Sequence, residues 1–496
     1  MRTGMVVLAC VVSLALPGIA EESAEEVYPV EILLTTTSDW TDVRLTGATL
    51  VATSFEVLEG ADARGLIVSA LSTLSVGKSS YDASRVVVRI RAYIAHLPAG
   101  WVRFTITKGH IGETTLSLRG DDGYRRELAT FTHRGVSSSS DPSNPRTFTL
   151  RAEEITEAVE PEALRLPSET TLGGQRVLAF YYPWYGTPDG PSGAWVHWNP
   201  HRAHRDSAHV PLAGYYDSKD PETIRRQIRE AKSAGIDGFI ASWWGAGTFE
   251  DQAFRVLLEV AEEEGFLITP YYEEADRPSE IVAEVATIVS RYGASPAFLH
   301  VGGLPVVFFY VRVTQRFTLE AWRGIFADLK ERDCSVFAVA DGLSSDFLTV
   351  FQGIHTYNPV SLPIGAVAEQ YRGASLLARI QGALFAATVI PGYDEAYRSP
   401  TGLYRDRADG ATYHAYWEIA RASRPNWILI TSFNEWHEGS EIEPSEEFGD
   451  SYLTQTADEA AAWRRGEVTA DRDGDGVPDD EDLCPEFPGS HATDGC

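Results

Sequence analysis

Lysine, methionine and cysteine are scarce in this chain. Lysine occurs only at Lys78, Lys108, Lys219, Lys232 and Lys330, so nearly all of the 42 basic residues are arginine, and both methionines, Met1 and Met5, fall at the very start. Neither shortage points to a function. Basic residues are outnumbered by 71 acidic ones, giving a formal net charge of -29 over 496 residues. A surface of that sign repels nucleic acid and anionic membranes, which removes both from the expected partners. Long apolar runs are missing too, and past the N-terminus no segment is long and apolar enough to span a bilayer. The start of the chain has Met1-Arg2, an apolar stretch from Met5 to Leu16, then Pro17-Gly18-Ile19-Ala20. That is the layout of a secretory signal peptide over residues 1–20, so a secreted protein is expected, extracellular, periplasmic or at the cell surface. Its removal leaves Cys334, Cys484 and Cys496. Cys484 and Cys496, close together in a loop-rich tail, are expected to pair, as suits an exported protein. Cys334 opens a predicted strand and reads as a buried, unpaired thiol.

What the chain does have is concentrated near its end, in Phe433-Asn434-Glu435-Trp436-His437-Glu438-Gly439. These residues follow an apolar run, 427–431, that reads as a buried strand. Two carboxylates three residues apart therefore sit where a strand gives way to a loop, flanked by an indole and an imidazole. Cleavage of a glycosidic bond needs two carboxyl groups of unlike protonation and an apolar platform for a sugar ring. The competing reading is a solvated acidic turn, since Glu441, Glu443, Glu446 and Glu447 follow. It accounts for the later glutamates but not for Trp436 and His437 set among the first two.

Three zones follow the leader. Residues 25–165 alternate with period two, as in Arg85-Val86-Val87-Val88-Arg89-Ile90-Arg91 and Trp101-Val102-Arg103-Phe104-Thr105-Ile106, with Gly, Asp and Ser clusters between. An antiparallel β-sandwich is expected. A carbohydrate-binding role is open to it, but no row of exposed aromatics is evident and a structural role is favoured. Residues 172–466 instead alternate short β-branched or aromatic runs with helical stretches. Eight candidate strands, 177–182, 238–243, 267–272, 305–310, 335–340, 353–355, 385–390 and 427–431, predict an α/β fold, a (β/α)8 barrel. Helices 221–233 and 251–264 carry their own stops at Gly235 and Gly265, the first also with Pro at its first turn. Chemistry in such barrels sits at the C-terminal ends of the strands. The unusual residues gather at those ends: Tyr181-Tyr182-Pro183-Trp184-Tyr185, Ser242-Trp243-Trp244, Tyr271-Tyr272-Glu273-Glu274, Tyr310, His355-Thr356-Tyr357, Tyr393-Asp394-Glu395 and the Glu435/Glu438 pair. Rings that stack on the CH faces of sugars, beside carboxylates that accept from hydroxyls, predict a carbohydrate cleft.

The third zone, 469–496, contains a twelve-residue loop from Asp471 to Asp482. Asp471, Asp473, Asp475, Asp479 and Asp482 fall at positions 1, 3, 5, 9 and 12, Gly476 at 6 and the carbonyl of Val477 at 7. That is calcium-loop spacing, with Asp replacing the usual Glu at position 12, and a structural calcium ion is expected. With Leu483-Cys484-Pro485 behind it, the loop resembles a single thrombospondin type 3 repeat. His197, His201, His204 and His209 are spaced irregularly and no cysteine joins them, which argues against zinc and leaves His197 as a sugar contact.

Taken together, Phe180-Tyr181-Tyr182-Pro183-Trp184-Tyr185-Gly186, Trp195-Val196-His197-Trp198, Ala234-Gly235-Ile236-Asp237-Gly238, Ser242-Trp243-Trp244-Gly245 and Ser432-Phe433-Asn434-Glu435-Trp436-His437-Glu438-Gly439-Ser440 resemble glycoside hydrolase family 99, the endo-α-mannosidases and endo-α-mannanases. The resemblance runs over about 177–443. It implies a retaining, internally cleaving enzyme that needs no metal for catalysis and uses the substrate's own 2-hydroxyl as nucleophile, through a 1,2-anhydro sugar. Glu435 would be the base toward that hydroxyl and Glu438 the acid, then base. Tyr182, Tyr185, His197, Trp198, Trp243, Trp244, Glu273, Tyr310, Asn434 and His437 would contact the glycan. The chain departs from the family after its third strand, with Glu274-Ala275, and after its fourth, with Val311-Arg312, in what would be subsite walls. The expected partner is a polysaccharide or oligosaccharide, acted on by a monomer. A non-catalytic glycan-binding protein on the same barrel, or an enzyme of α-glucan or other cell-surface polysaccharide, is the alternative.

Overall fold

The structure, a computed structural model, describes residues 25–467 apart from 61–62, 69–72, 79–84, 96–99, 110–111, 121–125, 135–143, 160–161, 165–171, 199–206 and 400. The expected leader, the expected calcium loop and Cys484–Cys496 pairing, and His201 and His204 lie outside the described residues.

The period-two zone forms two antiparallel sheets. One holds Glu25–Thr36, Thr49–Glu59, Val86–Ala95, Thr114–Gly120 and Arg126–His133, with Glu162–Leu164 on its side. The other holds Trp40–Thr46, Ala63–Val68, Thr73–Lys78, Trp101–Lys108 and Arg146–Arg151. Alternate residues such as Ile32, Leu34, Val43, Phe104, Ile106, Leu116 and Leu118 meet in a shared core, as one buried and one wet face per strand requires. Val27, Val51 and Ala95 leave that core and join the packing around the barrel, where Thr49–Glu59 lies on a helix described below. Arg44 reaches Glu369 of that helix at 3.3 Å.

The second zone closes into a barrel of eight parallel strands: β1 (Arg176–Tyr181), β2 (Gly238–Trp243), β3 (Leu267–Tyr272), β4 (Leu304–Phe309), β5 (Phe337–Asp341), β6 (Gly353–His355), β7 (Leu384–Val389) and β8 (Trp427–Ile430). Pairing of β8 with β1, and of β3 with β4 through Tyr271↔Phe308, completes the ring. All eight expected strands are present, including the three-residue β6. Helices pack outside: α1 (Pro221–Ser233), α2 (Phe249–Glu264), α3 (Pro278–Tyr292), α4 (Leu319–Glu331), α5 (Ile364–Gln381), α6 (Ala411–Ala422) and α7 (Ser451–Arg464). Their ends follow local chemistry. Asp220 caps α1 by accepting from the amides of Glu222 and Thr223, with Pro221 in the first turn, and Thr248 caps α2, which stops at Gly265 in the left-handed region (φ 63°). The helix under the sandwich is α5. Among the described residues no helix is long and apolar enough to cross a membrane. Cys334 is half-buried and unpaired, its thiol directed to the carbonyl of Arg332.

One regularity of the barrel decides the site. Side chains of a strand alternate between its faces, and here both faces are buried. On β1, Val177, Ala179 and Tyr181 pack toward the helices, while Leu178, Phe180 and Tyr182 face the barrel axis. On β2, Phe239, Ala241 and Trp243 face outward and Ile240 inward. The inward phase continues to Asp341 at the end of β5 and, just past the other strand ends, to Tyr182, Trp244, Glu273, Tyr310 and Tyr357.

Candidate active site

Of those six inward positions, Tyr182, Trp244, Glu273, Tyr310 and Tyr357 line one cavity of about 280 Å³ at the C-terminal mouth of the barrel, together with Glu435, His437 and Glu438 from the loop after β8. Trp184, His197, Arg312, Glu395 and Arg398 complete its wall. Asp341 lies just beneath. It is buried, accepts from the Tyr271 hydroxyl (3.0 Å) and from the amides of Tyr357 (3.1 Å) and Val311 (3.2 Å), and so fixes three neighbouring rim elements. Burial pushes its carboxyl up to about 7 against those donors.

The loop after β8 is held on both sides of the carboxylate pair. Asn434 accepts from the Tyr182 amide (2.7 Å) and donates to the Tyr182 carbonyl (3.2 Å) and the Tyr216 hydroxyl (3.1 Å), which staples the loop to the end of β1. The Glu435 amide donates to Ser432 Oγ at 2.7 Å. The Glu435 side chain receives the His437 amide on Oε1 (3.0 Å), whereas Oε2 is buried with no protein donor. Glu438 is supported differently, by the Tyr357 hydroxyl at 2.7 Å and by Tyr393. Burial raises both carboxyl groups above the usual range, and the charge of Glu438 raises Glu435 further. Two such groups in a dry cleft resist being ionised together. Across the cavity Glu273 accepts from Ser242 Oγ (2.8 Å), which in turn accepts from the Trp244 indole (2.9 Å); burial pushes Glu273 up to about 8.

Eight of the expected site residues meet in this cavity: Tyr182, His197, Trp244, Glu273, Tyr310, Glu435, His437 and Glu438. Four do not. Trp243 is out of phase with the inward face, stacks on Tyr272 behind the strand and donates to Asp251 at 3.0 Å. Tyr185 and Trp198 stack on each other at 3.9 Å beneath the rim, and Trp198 donates to the Tyr216 carbonyl. Asn434 is fully buried in the staple already described. These four shape the cleft from behind. The solvated-turn reading of the later glutamates holds only for Glu446 and Glu447. Glu441 and Glu443 are buried, because Arg407 (2.9 Å) and Arg226 (3.1 Å) reach them from neighbouring elements. Three lining residues were not singled out from the sequence. Trp184 stacks flat on His197 (4.7 Å, 1°) and was legible only as part of its motif. Arg312, whose guanidinium lies 5.5 Å from the rings of both Trp244 and Tyr310, stood out only as a departure. Arg398 comes from a loop with no periodic signal.

The profile of glycosyl hydrolase family 99 matches residues 173–449, more than half of the chain and every residue lining the cavity. The chain belongs to that family. Family 99 membership makes it a glycoside hydrolase. The human glycoprotein endo-alpha-1,2-mannosidase-like protein is 27% identical over 311 residues, 53% of this chain and 67% of the relative. The mouse glycoprotein endo-alpha-1,2-mannosidase is 26% identical over 313 residues, with the same 53% and 67% covered. Among solved structures, the family 99 endo-alpha-mannosidase from Bacteroides thetaiotaomicron in complex with BIS-TRIS-propane superposes with a TM-score of 0.54 at 28% identity, covering 59% of this chain and 98% of that one. The family 99 match leaves out the N-terminal sheets.

Proposed function

We propose that this family 99 protein cleaves internal α-mannosidic bonds of a mannan-like glycan with retention, and that Glu435 and Glu438 carry the reaction. The observation that carries the reading is the unlike support of two buried carboxyl groups at one end of an aromatic-walled cavity. In the first step Glu435 takes the proton of the substrate's 2-hydroxyl as O2 bonds to C1. The glycosidic bond breaks, and Glu438 gives its proton to the leaving oxygen. In the second, Glu438 takes a proton from water as that water bonds to C1. The O2–C1 bond then breaks and O2 recovers its proton from Glu435. Each carboxyl ends as it began. Among protein groups alone, Glu435 is the worse supplied with donors, the reverse of what an ionised base needs. A sugar hydroxyl directed at its bare Oε2 provides the missing donor, favours ionisation there and moves the shared proton to Glu438. Tyr182, Trp184, Trp244 and Tyr310 supply ring faces for the sugars, and Glu273 an acceptor for their hydroxyls.

The test is a panel of α-mannans and α-glucans with product analysis by mass spectrometry and anomeric NMR. Release of internal fragments from an α-mannan with the α-anomer formed first is expected. Tight binding with no release on any member would instead identify a glycan-binding protein. The pH profile adds a second check. Rate falls at low pH because Glu435 must be ionised, and falls at high pH because Glu438 must be protonated. Both groups are raised above 4.5, so both limbs of the kcat/KM bell are expected above pH 4.5. An acidic limb at or below 4.5 would count against the pair. We also take the protein to be exported, and the tail loop around Asp471, Asp473, Asp475, Val477, Asp479 and Asp482 to bind calcium structurally.

A further inference from the structure

A second cavity, about 420 Å³ and larger than the cleft, opens on the other side of the catalytic loop. Arg407 stands in its wall. The side chain is only 7% exposed, and its Nη2 donates to the carbonyls of Gly439 (3.0 Å) and Glu441 (2.9 Å) and to Glu441 Oε1 (2.9 Å). Phe448 and Tyr452 lie 4.6 and 4.5 Å from its guanidinium carbon. Nε and Nη1 are both buried, and among the described residues the Tyr452 hydroxyl is the one side-chain acceptor beside them, which leaves at least one of the two donors unmatched by protein. An unmatched donor on a buried charged group is costly unless something in the cavity accepts from it. At the mouth stands Tyr404, the most exposed large apolar side chain among the described residues at 58%. Asp409 also lines the cavity, presented by a left-handed pair of residues, Ala408 and Asp409 (φ 47° and 52°).

We infer that this cavity is a second saccharide-binding site, for one or two neutral sugar units of the same glycan. An exposed phenol offers the platform on which a sugar's CH face stacks. Buried guanidinium donors and a nearby carboxylate acceptor supply the paired hydrogen bonds that vicinal hydroxyls make. An anion fits less well: Glu441 already neutralises Arg407, and Asp394, Asp406, Asp409 and Glu447 ring the space. The site shares a wall with the cleft. Tyr393 supports Glu438 and also lines the second cavity, and the Asp394 amide donates to the Glu438 carbonyl at 2.7 Å. A chain held here would be anchored beside the cleft, which suits an enzyme acting within a polymer. The saccharide class rests on the proposed function; the site itself rests on the cavity and Arg407.

Isothermal titration of the full Glu438→Gln protein with an α-linked manno-tetrasaccharide tests it. Two binding events per chain are expected. Adding Tyr404→Ala, an exposed change that leaves the fold intact by circular dichroism, should weaken one event more than tenfold and spare the other. Arg407→Met should abolish that same event; if it fails to fold, the Tyr404 variant still decides. A single event, unmoved by Tyr404→Ala, overturns the second site and leaves cleavage of mannan by the wild type standing. A Tyr404-dependent event in a protein whose wild type cleaves no mannan upholds the site and overturns the proposed function instead.

Discussion

Glu438→Gln is expected to lower turnover of an α-mannan on the order of a thousandfold, the usual worth of a positioned general acid, without lowering the melting temperature. The second half of that expectation follows from the surroundings. Burial already disfavours the Glu438 carboxylate, and an amide of the same shape carries no charge to desolvate while keeping an oxygen for the Tyr357 hydroxyl. The protein should melt at or slightly above the wild-type temperature, as active sites commonly trade stability for function. Glu435→Gln should be as inactive, but the two variants part on an activated substrate. From a mannosyl fluoride the fluoride ion leaves without needing a proton as O2 bonds to C1, so Glu438→Gln should regain much of its first step on it. Glu435→Gln should not, because the 2-hydroxyl still lacks its base. Equal rescue of both variants, or wild-type rates from either on mannan, would end the assignment.

Glu443→Ala is expected to be the most damaging single change to the barrel. Its carboxylate, 3% exposed, receives Arg226 (3.1 Å), Gln227 (2.8 Å), the Tyr216 hydroxyl (2.8 Å) and the Trp436 indole (3.3 Å). Burial pushes this carboxyl up while Arg226 pulls it back, as in any ion pair kept from water. Removing the carboxylate leaves Gln227 and the Tyr216 hydroxyl without their acceptor, while Arg226 keeps Glu230 (2.9 Å) and the Trp436 indole keeps the Tyr216 oxygen (3.1 Å), a loss of roughly 3 kcal/mol for two buried donors left unmatched. For a domain of this size that corresponds to a fall in Tm on the order of 10 °C, read by thermal unfolding. A fall of less than about 2 °C, a small part of that scale, would mean that water or repacking replaces the carboxylate easily. Trp436 and Tyr216 brace the loop that carries Glu435 and Glu438, so activity should drop with stability.

Much of this was legible from residues in order. The apolar runs of the barrel strands are buried on both faces, and their length and flanking glycines separate them from helices; even β6, three residues long, shows itself by its apolar centre between polar neighbours. The Glu435/Glu438 pair was legible because Trp436 and His437 have no place in a solvated turn. What the chain hides is phase and pairing. Trp243 and Trp244 look alike in sequence, yet a strand can turn only one of them toward the axis, and the alternation back through Ile240 selects Trp244. Glu441 and Glu443 look like their solvated neighbours because the arginines that bury them are 34 and 217 residues away. Tyr185 and Trp198 carry the right chemistry for sugar stacking, and spend it on each other.

The staple formed by Asn434 joins groups 252 residues apart, and it sets when this protein becomes able to act. The buried carboxylate pair is braced by the first strand of the ring and delivered by the last. A polypeptide still emerging from the ribosome, or clipped anywhere between the two, holds neither a groove nor a base in register. Competence should therefore switch on only at ring closure, and separately expressed halves should stay silent until they reassociate.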